Sequence, residues 1–142
     1  MLVQLTVGAI GSICNIIAHS VMMTALIKLA RAHTNLTKYS ALALSRVMAP
    51  AVCVLMAAHI FEVVIWALIY KVVGVASAES DLMYFAFVNY TTLGYGDITP
   101  VERWRLLGPV AAMNGILLFG WSTAVIFEIL RRTLIHMDEL TH

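Results

Sequence analysis

Three apolar stretches, Leu2 to Ala30, Val47 to Val73 and Leu106 to Leu130, limit what this 142-residue chain can become. Each is longer than the about 20 apolar residues a helix needs to cross a bilayer. Charged residues make up only 12% of the sequence, against about 25% in soluble domains. An all-α membrane protein with three transmembrane helices is therefore expected. The first stretch has no basic residue before its apolar run and is too long for a typical signal core, so it reads as a retained helix. Residues 31–46 and the tail after 130 are too short to hold a soluble domain. The net charge of +1 gives no reason to expect nucleic acid as a partner. Cys14 and Cys53 fall inside apolar runs, where inert buried thiols are expected rather than a disulfide.

A fourth apolar piece, Leu82 to Val88, is too short to span. Ser80 or Asp81 suits the N-cap of a short helix over 81–91. Ten helical residues cover about 15 Å, half the hydrocarbon thickness, so this segment must descend and return. Irregular backbone at that depth is tolerated only where protein buries it or it lines water. One chain of this size cannot enclose such a loop, whereas several copies around an axis can. The C-terminal end of the short helix, near Tyr90 and Thr91, points a partial negative charge at that axis and favours a cation there. Tyr84, Phe85, Phe87 and Tyr90 form an aromatic group that packs the helix and doubles as a cuff around the loop after it.

That loop reads Thr91-Thr92-Leu93-Gly94-Tyr95-Gly96-Asp97. An ion stripped of water needs replacement oxygens, and backbone carbonyls supply them if successive ones face one axis. A regular strand cannot do this, because its carbonyls alternate. Residues that readily take φ > 0 at alternate positions can, and Gly94 and Gly96 are such residues. Thr92 can add a hydroxyl at the inner end. Tyr95 is expected to point away and wedge the loop open. Asp97 would anchor its outer end and attract cations.

Charge sets an expected orientation. Lys28, Arg31, Lys38, Arg46, Arg131 and Arg132 flank one side of the spans, and Lys71, Arg103 and Arg105 the other. By the positive-inside rule the N-terminus lies outside, residues 31–46 inside, residues 74–105 outside and the C-terminus in the cytoplasm of a multi-pass cell-membrane protein.

The run 92–96 resembles the selectivity filter of potassium channels, with Leu93 in place of the usual valine and identity at Thr92, Gly94, Tyr95 and Gly96. The resemblance extends over 47–132 as the potassium-channel pore module: outer helix 47–73, pore helix 81–91, filter 92–97, inner helix 105–131. Residues 1–30 form an additional N-terminal transmembrane helix, 31–46 a cytoplasmic linker with an interfacial helix over 36–44, and 133–142 a short tail. Pro100 and Trp104 follow the filter where related bacterial channels carry such residues. The resemblance implies a homotetramer in a lipid bilayer that conducts K⁺ passively, with no cofactor beyond the transported ion and no catalytic residues. It implies K⁺ sites at Thr92, Leu93, Gly94 and Tyr95, completed by Gly96 and supported by Thr91 and Asp97. It places Ile116, Phe119 and Thr123 on the inner cavity, with Gly115 and Gly120 as hinge or close-packing positions. Val88 stands where some members carry a glutamate behind the filter. No span carries arginine at every third position, so a voltage sensor is not expected.

His59 and Glu62, at i and i+3, share a face of the second span. An acid at the bilayer centre costs about 2.5–3.5 kcal/mol on insertion scales, so Glu62 should face protein. It lies about 13 Å below Lys71 on a helix, near the depth of the short helix. Three readings stay open: an interhelical hydrogen bond, a brace for the filter through Asn89 or a tyrosine hydroxyl, and proton sensing. Asn15 and His19, near the small residues Gly8 and Ser12, are expected to dock the first helix. Asn114 and Ser122 read as interhelical contacts. A metal site of His19, His59 and Glu62 is conceivable, though no spacing demands it. Competing functions are a non-conducting accessory subunit and a membrane enzyme or metal transporter built on His59 and Glu62.

Overall fold

A computed structural model describes residues 1–32, 41–77 and 80–139. Four α-helices occur in order: α1 (Leu2–Ala32), α2 (Ala41–Val73), α3 (Leu82–Tyr90) and α4 (Leu107–Glu139), with a 3-10 turn at Glu102–Trp104. Among the described residues there is no strand. The protein is all-helical, and α1, α2 and α4 are each long and apolar enough to cross a membrane. The nine-residue α3 is not.

Local chemistry sets the ends of these helices. The C-terminus of α2 closes in a Schellman motif, in which Val75 N–H donates to the Tyr70 carbonyl at 3.0 Å and Gly74 N–H to Lys71 at 3.3 Å. Asp81 caps α3 by accepting from the Tyr84 amide at 3.0 Å, as its side chain suggests. At the other end Thr91 N–H donates to the Phe87 carbonyl. The chain then turns outward, and Val101 N–H donates to the Val75 carbonyl at 2.8 Å, tying the end of the loop to the exit of α2. The N-terminal end of α4 meets α1, where Gln4 Oε1 accepts from the Leu106 amide at 2.9 Å.

Two helix bounds differ from the expected ones. α2 begins at Ala41, six residues before the expected start at 47, and contains Pro50 in its interior. Pro50 removes the bond to the Arg46 carbonyl, yet helical backbone continues on both sides. The first residues of the expected interfacial helix over 36–44 lie outside the described residues, and its last four already belong to α2. At the other end α4 runs to Glu139, beyond the expected end at 131. No glycine or proline follows Gly120 to stop it. Glu128 also pairs with Arg131 at 2.9 Å and with Arg132, at the i+3 and i+4 spacings that support a helix.

α1 packs against both α2 and α4, and α3 is held between α2 and α4. Gly8 lets α1 close on Val110 of α4, and Gly11 lets it close on Ile69 and Trp66 of α2. Between lipid-embedded helices such close approach replaces the water-exclusion force that drives soluble cores. The interior divides into two apolar layers. One surrounds α3 and holds Val63, Trp66, Tyr70, Phe85, Tyr90, Leu107 and Ala111. The other joins Met23, Leu26, Leu55, Ala58, Val125 and Ile129 below it. Between them lies a buried polar layer.

Candidate functional site

Two arrangements meet at Tyr90, the last residue of α3: the loop beyond it and the polar layer beneath it. In the loop, φ is +64° at Thr92, +61° at Gly94 and +77° at Gly96. The left-handed positions alternate with Leu93 and Tyr95, the pattern that lets successive carbonyls share a side. Glycine composition anticipates two of the three. Thr92 was not anticipated, because a β-branched residue at positive φ is a steric outlier that no sequence rule would select.

The loop's amides fold back onto α3. Thr92 N–H donates to Asn89 O at 3.0 Å, and Leu93 and Gly94 N–H both donate to Val88 O, at 3.0 and 3.3 Å. Among the described residues, no hydrogen bond reaches the carbonyls of Thr92, Leu93, Gly94 or Tyr95. Residues 91–97 are also exposed throughout in the single chain. Four consecutive carbonyls are thus left free for a ligand that accepts oxygen lone pairs.

The supports of the loop are mostly local. Thr91 Oγ1 donates to the Phe87 carbonyl at 2.7 Å. Asn89 Nδ2 donates to the Phe85 carbonyl at 2.9 Å and packs against Gly108, not against Glu62. Asp97 accepts from the Tyr84 hydroxyl at 2.7 Å and from the Ile98 amide at 3.1 Å. Tyr84 therefore anchors the carboxylate, and Val88 contributes its backbone carbonyl behind the loop. The bond to Asp97 holds the Tyr84 phenol above its ordinary pKa, because losing that proton would set two negative charges side by side. The sequence placed Tyr84 in the aromatic group, but nothing in it assigned the Asp97 contact.

Below the loop, all four helices supply side chains to one buried cluster. Glu62 on α2 is fully buried. Its Oε1 faces His19 Nδ1 of α1 at 2.7 Å. Its Oε2 faces His59 Nδ1 at 2.9 Å and accepts from the Tyr90 hydroxyl of α3. Tyr90 Oη lies 2.9 Å from His59 Nδ1. Ser122 Oγ of α4 lies 2.9 Å from His59 Nε2 and 3.5 Å from His19 Nε2. Beside it, Asn114 Oδ1 accepts from Asn15 Nδ2 at 2.9 Å and from Trp66 Nε1 at 3.1 Å. Glu62 thus reaches the short helix through the Tyr90 hydroxyl. His19 is the member whose role the sequence left at docking. It lies more than forty positions from Glu62 in sequence, so no local spacing signalled the pair.

On α4, Gly115 is pressed against α3. A Cβ there would collide with the Tyr90 carbonyl, which makes it a close-packing position. Gly120 meets nothing within 4 Å. Ile116 is 58% exposed on the outer face of the chain. Phe119 is tucked beneath, its ring 4.5 Å from His59 and 5.3 Å from Tyr90. Thr123 is exposed, with its hydroxyl donated to the Phe119 carbonyl at 2.9 Å.

One ligand atom each from His19, His59 and Glu62 falls within a 4.8 Å group. The nitrogen–oxygen separations of 2.7 and 2.9 Å are hydrogen-bond lengths. Two ligands bonded to one tetrahedral zinc at 2.0–2.1 Å lie about 3.3 Å apart. As spaced here, the three groups share protons.

No curated protein and no solved structure matches the chain. Residues 58–132, more than half of the sequence, match the ion channel family. That segment runs from the C-terminal half of α2 through α3 and the free-carbonyl loop into α4. The chain belongs to the ion channel family.

Proposed function

We propose that this protein is a potassium-selective channel, assembled as a homotetramer, that passes K⁺ passively across the cell membrane. The observation that carries the reading is the set of unbonded carbonyls at Thr92, Leu93, Gly94 and Tyr95 on a backbone with alternate left-handed residues. Oxygen lone pairs facing one axis replace the hydration shell of a cation, and Gly96 keeps the loop's exit open. Thr91 and Asp97 fix the ends of the loop. The exposure of residues 91–97 in one chain supports assembly, because backbone at membrane depth requires protein or water around it. One such loop per chain suits four chains around an axis.

In this reading the N-terminus and the loop face outside and the C-terminus lies in the cytoplasm, as the basic residues favour. Ile116 and Thr123 line the inner cavity, with Phe119 behind them and Gly120 on the open face. Gly115 sets the distance between α4 and the end of α3. K⁺ and the bilayer are the partners, no cofactor is required beyond the transported ion, and no residue is assigned a catalytic role.

Reconstitution into liposomes with a K⁺ gradient tests the reading. K⁺ efflux blocked by Ba²⁺, and much larger than Na⁺ efflux, is the expected result. Flux no greater than from empty vesicles would sink it and leave a non-conducting accessory subunit as the function.

A further inference from the structure

The proton count of the buried layer does not close. Tyr90 has one hydroxyl proton and donates it to Glu62, so at its contact with His59 Nδ1 it must accept. His59 Nδ1 therefore carries a proton. With Glu62 as the carboxylate, His19 Nδ1, 2.7 Å from its other oxygen, carries one as well, because two bare lone pairs at that distance repel. With both Nδ1 atoms protonated, neutral rings leave both Nε2 atoms bare. Both face Ser122 Oγ, at 2.9 and 3.5 Å. A hydroxyl has one proton and can serve only one of them. Its lone pairs remain free to accept an N–H from the other. One added proton, on His19 Nε2, completes the contacts among Glu62, Tyr90, Ser122 and the two imidazoles and sets an imidazolium against the Glu62 carboxylate.

The groups facing this site are few. α1 brings Asn15, α2 brings His59 and Trp66, α3 brings Tyr90, and α4 brings Asn114, Ser122 and the Trp121 ring, 5.1 Å from His19. Among the described residues, only the two histidines form ion pairs with Glu62, and no lysine or arginine does. Among the described residues the proton has no lysine or arginine competing with it for Glu62.

We propose that His19, on the additional helix α1, is a positioning residue for the ion-selective loop: a single proton taken up by His19 locks Glu62, and through Glu62 the Tyr90 hydroxyl at the end of α3. The inference rests on the conduction reading above, since the locked element is the segment from which the loop starts. Imidazole is the side chain suited to exchanging a proton in the physiological range. A bond between two charged groups is stronger than one from a neutral ring, so the imidazolium fixes the Glu62 carboxylate that the Tyr90 hydroxyl donates to. Conduction should then fall as pH rises.

The test uses the full chain in liposomes, with K⁺ flux and the thermal midpoint of the detergent-solubilised oligomer both read from acid to alkaline pH. Wild-type flux is expected to be about 10-fold larger at about pH 5.5 than at about pH 8.5. His19→Asn keeps a donor toward Glu62 but cannot take up a proton. It should retain flux within a few-fold and lose the pH dependence. His19→Ala should lower flux at both pH values, with helix content and oligomer size unchanged. Should that variant fail to fold, Ser122→Ala, which removes the shared acceptor, should flatten the profile instead. A wild-type profile already flat in flux and midpoint overturns the proposal, as does an undiminished pH dependence in His19→Asn. Transition metal bound at one per chain and lost in His19→Asn overturns it too. Absence of wild-type flux at every pH counts against conduction. The thermal midpoint then decides the proton's role alone: pH-dependent in wild type and flat in His19→Asn supports it.

Discussion

The loop 92–97 and the layer around Glu62 hang from opposite ends of one residue. The carbonyl side of Tyr90 leads into the loop, and its hydroxyl ends in the layer. The loop is continuous in sequence, exposed, and held by backbone bonds to α3. The layer is assembled from four helices, buried, and held by side chains. The loop therefore depends on φ values that single residues permit, while the layer depends on where helices sit. Changes in the loop should alter what passes through the protein and spare the bundle. Changes in the layer should weaken the bundle first and reach the loop through Tyr90.

The largest effect is expected at Gly94. An alanine at φ +61° costs about 1–2 kcal/mol in each copy, and in the proposed tetramer four copies share one ring. Gly94→Ala should abolish K⁺ preference over Na⁺ while helix content by circular dichroism stays unchanged. Unaltered selectivity in liposomes would break the assignment of the loop. Next comes Glu62→Ala, which strands two histidines and a tyrosine in a dry interior. Each buried polar group left without its partner costs about 1–3 kcal/mol, and the thermal midpoint of the protein should fall sharply. A wild-type midpoint would mean that the layer carries no stability.

Gly115→Ala sharpens the comparison, because this residue touches both regions through the Tyr90 backbone. Overpacking a filled contact costs about 1–3 kcal/mol, so both the midpoint and the K⁺ flux should drop. A drop in the midpoint alone would separate the two regions. The smallest effect belongs to Tyr84→Phe, which removes one exposed hydrogen bond to Asp97. A change of a few-fold in K⁺ over Na⁺ preference, with no change in the midpoint, is expected. Because Asp97 holds the Tyr84 proton above the phenol's ordinary range, this contact should persist as pH rises past about 10, and be lost only at still higher pH. Ultraviolet titration of the wild type against Tyr84→Phe checks the direction.

Much of this protein is legible in its residues alone. Apolar length dictates three spans, because a bilayer admits few other solutions. The short fourth run, its Asp81 cap and the paired glycines locate α3 and the loop, because caps and left-handed turns are properties of individual residues. The positive φ of Thr92 was hidden, since a threonine adopts it only when the surrounding bonds impose it. The partners of His19, Glu62, Tyr90 and Ser122 were hidden for another reason. Each belongs to a different helix, and a helix fixes which residues share its face but not which neighbour that face meets. The spans, the short helix and the two glycine positions of the loop follow from hydropathy and local backbone chemistry. The entry of α1 into the layer under Tyr90 and the anchoring of Asp97 by Tyr84 emerge from packing. Those contacts depend on how helices pack, and packing in a membrane is set by side-chain fit between distant parts of the chain.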